Sequence, residues 1–567
     1  MTRRPALAPD RAPGGRLRAV GGCNLLLVAA LLAGIALRGW QLDIQILIDD
    51  EWHAIHKLLR ATPLDILTHL GYADYSIPLT LYYQWLYRTV GLSEWSMHAP
   101  ALVAGVALLL MGPRMLARWV PLPTRAVWLA LVAISPLLVY HSKVARPYAL
   151  TSLLTFVAIV AFHGWWLSGR RGDAVLYVVA TLLAGWLHVV TLPFTLLPFL
   201  YCGAQAIAPR HLRAESSPRG ASAIARLAQL GVVTALTLAI ALAPPLVIDW
   251  GQFTQKAAKD SVTVDSVYRT LLLLAGTGSP LAGLAVVACG ALGFTRLARR
   301  DADLAWYLAS VAGIGSVAVA ASRAEWISHA LVLARYMLPA LPFLLLFVAE
   351  GIVALVERLR WPRLAPAVAA AAAVALLATG PIPTQWHYPN QFWGHLRYQF
   401  DYDPAHNPYV TLLPKEDVPM FYRELGRLPA GSVTLIEAPW RLESHFNALS
   451  LYQDVHRQHV KIGLVTPLCG AYDFGEYPPE RTGMKMRELV HLASVLHGDA
   501  HGADYLVLHP RAHNVVADPG PEWPDVTHCL PAIEQALGSP AYRDDQIVVY
   551  RLAGLSPLGN NRRPVQQ

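Results

Sequence analysis

NLLLVAALLAGIALRGWQL (Asn24–Leu42), running on into IDDEWH (Ile48–His53), decides how this chain is to be read. The first stretch carries a single charge, Arg38, and is close to the ~20 apolar residues that a helix needs to cross a bilayer. An arm bearing Arg3, Arg4, Arg11, Arg16 and Arg18 precedes it. No small-residue cleavage pattern follows and many apolar stretches come after, so the segment reads as a signal anchor rather than a cleaved leader. Working outward, further spans are expected at 99–111, 126–141, 148–167, 175–190, 192–207, 227–247, 280–294, 304–321, 336–356 and 364–380. Composition agrees. The chain is 54% hydrophobic and only 15% charged, with a mean hydropathy of +0.37, whereas soluble domains carry about 25% charged residues. The expected fold is a polytopic α-helical membrane protein of about eleven transmembrane helices.

A net charge of +8 and a pI near 9.2 would suit a nucleic-acid binder, but the distribution excludes that class. The arginines fall into alternate loops: Arg114, Arg118 and Arg125; Arg170 and Arg171; Arg210, Arg213, Arg219 and Arg226; Arg296, Arg299 and Arg300; Arg358, Arg360 and Arg363. This is the bias of cytoplasmic loops. It places the N-terminus in the cytoplasm of a multi-pass plasma (inner) membrane protein and, with an odd number of spans, everything after Gly380 outside. Residues 1–380 are thus expected to form the membrane domain, with a long first outer loop at 43–97, and residues 381–567 an extracytoplasmic domain. Within the loop, Trp52–Arg60 and Pro63–Leu70 read as short interfacial helices, and Ser76–Val90 is rich in Tyr and Trp.

After Thr384 the long apolar runs end. Strands are expected at Val433–Glu437, Val460–Val465, Tyr505–His509 and Ile547–Leu552, with helices at Val418–Leu428, Ser444–Val455, Lys485–His497 and Leu530–Leu537. Alternating strand and helix implies a small parallel-sheet α/β domain. It has neither a GxGxxG nor a GxxxxGK[ST] loop, so no nucleotide cofactor is expected. Cys469 and Cys529 are its two cysteines and could form a disulfide in an oxidising compartment. Aromatic residues crowd the junction Trp386–Tyr409, where they either stack on sugars or sit at the membrane interface.

Three outer-face features could carry chemistry. Asp49, Asp50 and Glu51 are consecutive carboxylates at the membrane surface. They repel one another and need a cation, a metal or a proton nearby; one held in this way can act as general base toward a hydroxyl. The alternative is a solvated loop start. His53, three residues from Asp50, would share a short helix face with it. Second, Tyr140–Tyr148 contains Lys143 and Arg146, basic residues against the orientation bias. They either bind a phosphate or snorkel at helix ends. Third, Arg335 lies at the outer end of a span, to meet a lipid phosphate or to pair with Glu325. His188 and His329, near other outer ends, read as packing residues.

Asp50-Glu51, the Ser142–Tyr148 stretch (SKVARPY), Arg335–Pro339 (RYMLP) and Ile77–Tyr83 followed by Gly91–Glu94 resemble the GT-C glycosyltransferases. The nearest branch is that of the protein O-mannosyltransferases and lipid A aminoarabinose transferases. The resemblance covers roughly residues 24–380. It departs from the usual pattern at Asp74–Pro78 and at Met97–Pro100. It implies transfer of a sugar, with inversion, from a polyprenyl-phosphate carrier to a hydroxyl of a lipid, glycan or protein acceptor outside the cytoplasm. Asp50 would be the base, with Asp49 its competitor. Glu51 and His53 would orient the base or the acceptor. Arg146, Lys143, Arg335 and Tyr148 would hold the phosphate, aided in parts of that family by a divalent cation (Mg or Mn). A polytopic transporter or lipid flippase is the competing class.

Overall fold

The computed structural model describes residues 13–47, 51, 54–55, 57–58, 61–70, 76–208, 218, 220–257, 259–359, 365–383, 418–439, 449–466, 468–469, 489–510 and 526–552. Among the described residues up to 383 the regular structure is all helical. In chain order the helices are α1 (Pro13–Gly39), α2 (Pro63–Thr68), α3 (Ile77–Thr89), α4 (Glu94–Leu116), α5 (Leu122–Ile134), α6 (Pro136–His141), α7 (Tyr148–Ser168), α8 (Arg171–Leu187) and α9 (Leu192–Ile207). Then come α10 (Gly220–Ile248), α11 (Trp250–Lys256), α12 (Val264–Ala275), α13 (Pro280–Arg300), α14 (Ala302–Ala321), α15 (Ala330–Tyr336), α16 (Leu341–Arg358) and α17 (Ala365–Thr379). Every expected span coincides with a helix or a broken pair of helices. Among the described residues, seven helices are long and apolar enough to cross a bilayer, or eight if α15 and α16 count as one bent span.

Two expected spans are broken, and proline accounts for both. The segment 126–141 divides at Ser135, whose backbone is extended ahead of Pro136. Proline has no N–H, so the carbonyl of Val132 loses its helical partner. The Arg38 guanidinium, fully buried, donates instead to Val132 O (3.1 Å), Ala133 O (3.0 Å) and Gly34 O (2.9 Å). The segment 336–356 is not one straight helix either. α15 and α16 meet at 86° across residues 337–340, where Pro339 and Pro342 interrupt the ladder. Trp128 fixes this corner by donating its indole N–H to Pro342 O (2.8 Å), and it stacks on Phe156, which stacks on Phe343.

The basic loops gather at one end of the bundle. Arg118 pairs with Asp173 (3.0 Å), Arg226 lies over Trp165, and Arg296 and Arg300 converge on Glu350, which is fully buried. Nearby, α13 and α16 pack with backbones in contact at Gly293 and Gly351.

The C-terminal part follows a short helix, α18 (Met420–Leu425), with β1 (Thr434–Ala438), α19 (Leu449–His456), β2 (His459–Leu464), β3 (Leu489–His491), α20 (Leu492–Leu496), β4 (Tyr505–Leu508), α21 (Leu530–Leu537), β5 (Tyr542–Arg543) and β6 (Val548–Arg551). The sheet order is β3-β2-β1-β4-β6-β5. The first four strands are parallel, but β6 pairs antiparallel with both β4 and β5, so the sheet is mixed rather than purely parallel. Of the expected helix Lys485–His497, residues 485–488 lie outside the described residues, 489–491 form a strand, β3, and 492–496 the shorter α20. Alternation along each strand sorts the core into two layers. Leu435, Ile462, Val507 and Val549 face α18 and α19, in a core continuous with the membrane part. Ile436, Leu506, Val548 and Tyr550 face α20 and α21, beside the Cys469–Cys529 disulfide.

Candidate functional site

The end of the bundle opposite the arginine-rich loops carries the second cluster of charge. It is built on the connection 142–147 between α6 and α7, which is held on every side. Ala145 is fixed twice. Its N–H donates to the Glu51 carboxylate, and its carbonyl accepts from the Tyr83 hydroxyl (3.3 Å), which also bonds Met97 O (3.1 Å). Glu51, 1% exposed, takes a second hydrogen bond from His98 Nε2 (2.8 Å) at the start of α4. A buried carboxylate is tolerable only with such donors. The acidic triplet is therefore tied, through its last member, to the residue just before Arg146.

Arg146, mostly buried, and Arg335, at the end of α15, both lie within electrostatic reach of the His188 ring, which caps α8. Arg335 spreads over Tyr148 (5.4 Å) and Tyr336 (5.3 Å). His188 touches both of those rings, at 5.7 and 5.6 Å. His141 closes the group against Tyr148 (5.0 Å) and is also within reach of the Arg335 charge. A guanidinium over aromatic faces is held by cation–π attraction, and its planar fork suits anionic oxygens in general. Residues from three distant parts of the chain thus form one cationic, aromatic cluster.

Of the expected phosphate ligands, Arg146, Arg335 and Tyr148 come together. Lys143 is drawn elsewhere: its ammonium donates to Trp40 O (2.7 Å), and Asp43 and Asp454 are its charged neighbours. Burial pulls that amine down to about 7, against the upward effect of those two carboxylates. Glu325, the competing partner for Arg335, pairs with Lys259 (3.0 Å). Asp49, Asp50 and His53 lie outside the described residues, as does the junction 386–409. His98, His141, His188 and Tyr336 were not expected in the site. Single histidines at helix ends have no sequence pattern, and only the fold reveals their neighbours. Among the described residues no three His, Cys, Asp or Glu side chains are grouped as a metal ion needs; Glu51 is hydrogen-bonded to His98 and Ala145.

Fold and site together define a polytopic membrane protein with a mixed α/β domain and a cationic, aromatic cluster at the ends of its spans. No family model matches the chain, and no curated protein matches it. Among solved structures it is similar to ArnT from Cupriavidus metallidurans bound to undecaprenyl phosphate (14% identity, 97% of this chain and 100% of that one, TM-score 0.43). It is also similar to the archaeal oligosaccharyltransferase AglB from Archaeoglobus fulgidus in complex with an inhibitory peptide and a dolichol-phosphate (11% identity, 86% of this chain and 69% of that one, TM-score 0.42).

Proposed function

We propose that this chain is a membrane glycosyltransferase of the GT-C kind. It moves a sugar from a polyprenyl-phosphate carrier to an acceptor hydroxyl on the extracytoplasmic face, with inversion. The observation that carries this reading is the convergence of Arg146 and Arg335 on one aromatic cluster, with the acidic triplet tied to the adjoining Ala145. Two fixed cations at the ends of the spans suit a phosphate on a lipid tail. They stabilise the charge that develops as the sugar–phosphate bond breaks, without reorganising. Asp50, one residue before the anchored Glu51, takes the proton of the attacking hydroxyl, with Asp49 as the other candidate. The hydroxyl oxygen bonds to the anomeric carbon, and polyprenyl phosphate leaves with the bonding pair. The Cys469–Cys529 bond is consistent with a C-terminal domain in an oxidising compartment.

The test is to replace Asp50 and Asp49 separately with Asn and to follow release of free polyprenyl phosphate from a sugar-loaded carrier in membranes. We expect one of the two variants to lose at least ~1,000-fold in turnover, within the range for loss of a general base. Full activity in both would sink the assignment. Movement of sugar or lipid without cleavage would make the protein a transporter.

A further inference from the structure

Residues 40–47 join α1 to the acidic triplet without forming a helix or strand. Leu42, Ile46 and Leu47 are buried, and Gln41 adopts a positive φ of 54°, a conformation disfavoured for a side-chain-bearing residue unless its surroundings enforce it. Two bodies supply that enforcement. The connection 142–147 does so through Lys143, whose ammonium holds Trp40 O and whose own carbonyl accepts from Gln45 Nε2 (2.9 Å). The C-terminal domain does so through α19. Gln453, fully buried, donates one amide hydrogen to Ile44 O (2.7 Å) and the other to Gln458 O (2.9 Å) within its own domain. The next residue, Asp454, 3% exposed, lies within electrostatic reach of Lys143, as does Asp43.

The α19 helix is itself fixed to the sheet. Tyr452 stacks on Tyr422 (4.7 Å) and His509 (6.0 Å), and Tyr422 and His509 both bond Glu437, a buried carboxylate near the end of β1. A continuous set of contacts therefore runs from the central strand of the α/β domain, through α19, to the segment that leads into residues 49–51. A second branch runs through Lys143 to Arg146, three residues on.

We propose that Gln453 and Asp454 are positioning residues for the transfer reaction: the α/β domain fixes, through Ile44, the segment 40–47 that leads toward the carboxylates and, through Lys143, the connection that carries Arg146. This rests on the reading above, in which residues 49–51 and Arg146 act on the substrate. Both residues lie within a helix turn of the tyrosine that stacks α19 against Tyr422 and His509. A misplacement of ~1 Å at reacting groups costs on the order of 100-fold, so a contact remote from the substrate can govern turnover.

The experiment uses the full chain in lipid nanodiscs, with Gln453→Ala, the isosteric Asp454→Asn, Lys143→Met, the double variant Asp454→Asn/Lys143→Met, and Asp454→Glu. Transfer kinetics are measured alongside hydrogen exchange at residues 40–47 and 142–147. We expect Gln453→Ala and Asp454→Asn to lower kcat by ~10-fold or more, corresponding to at least ~1.4 kcal/mol, with donor KM changed less than ~3-fold. Exchange at both segments should rise, Asp454→Glu should keep most of the turnover, and the double variant should be no worse than Lys143→Met alone, as for a coupled pair. Unchanged exchange in Gln453→Ala and Asp454→Asn overturns the coupling. Raised exchange with wild-type kcat, in an enzyme that Asp50→Asn or Asp49→Asn inactivates, overturns the positioning role but leaves the glycosyltransferase reading intact. If neither aspartate matters for transfer, that reading falls and the positioning role falls with it.

Discussion

At the scale of single residues, Lys143 and Arg146 show where a motif stops being informative. They stand three apart in one connecting loop, and as sequence they are equivalent basic residues on the wrong side of the membrane. In the fold, Arg146 joins Arg335 and His188, while Lys143 is bound to the Trp40 carbonyl. Side-chain direction in an irregular loop depends on what packs against it, and those partners are up to hundreds of residues away. His98 and His188 were illegible for the same reason. Arg335 was legible by position, but its two tyrosine faces were not. They give it a specific expectation. Arg335→Lys keeps the charge but loses the planar stack, so donor KM should rise by ~10-fold, about 1.4 kcal/mol. Arg335→Ala should cost ~100-fold in kcat/KM, about 2.7 kcal/mol. Steady-state kinetics with a polyprenyl-phosphate sugar would check both, and a wild-type KM in Arg335→Lys would mean the stack plays no part in binding.

At the scale of elements, hydropathy located the helices well because burial in hydrocarbon demands apolar residues over a full turn count. It missed the breaks at Ser135 and at 337–340 because a proline's effect depends on whether another group satisfies the freed carbonyls. In the α/β domain the alternating strands were legible, while β3 was taken for helix because a three-residue strand running straight into α20 leaves too little alternation to register. The α13–α16 pair supports a sharp prediction. A methyl group on Gly351 would run into the Cys289 carbonyl, and one on Gly293 into the Phe347 carbonyl. The obstacle is backbone, which cannot rotate aside. Gly351→Ala should destabilise by about 1–3 kcal/mol, the cost of overpacking, seen as a lower melting temperature in detergent. Gly313→Ala, on α14 with open space around it, should not lower the melting temperature, since alanine is the better helix former.

At the scale of the whole molecule, the α/β domain carries its own acid sensitivity. His456 is fully buried, its Nδ1 accepts the Gln458 N–H (3.0 Å), and burial pulls its pKa down to about 3. Its folded value lies below the ordinary 6.5, so between those limits the unfolded chain binds the extra proton. The stability it contributes is present above pH 6.5 and lost as pH falls toward 3. The slope approaches about 1.4 kcal/mol per pH unit. Thermal unfolding followed at pH 7.5 and 5.0 should show a drop in the wild type that His456→Gln reduces; an equal drop in both would exclude His456 as the source. The buried Arg38, finally, bears on how the protein is made. α1 precedes α5 in the chain, so as α1 is made it presents a cation whose three carbonyl partners include two that belong to α5 and have yet to be synthesised. Until α5 arrives, Arg38 must reach for water or lipid headgroups at the bilayer edge. Membrane integration of α1 is therefore provisional, and becomes final only when the proline-broken helix emerges to receive it.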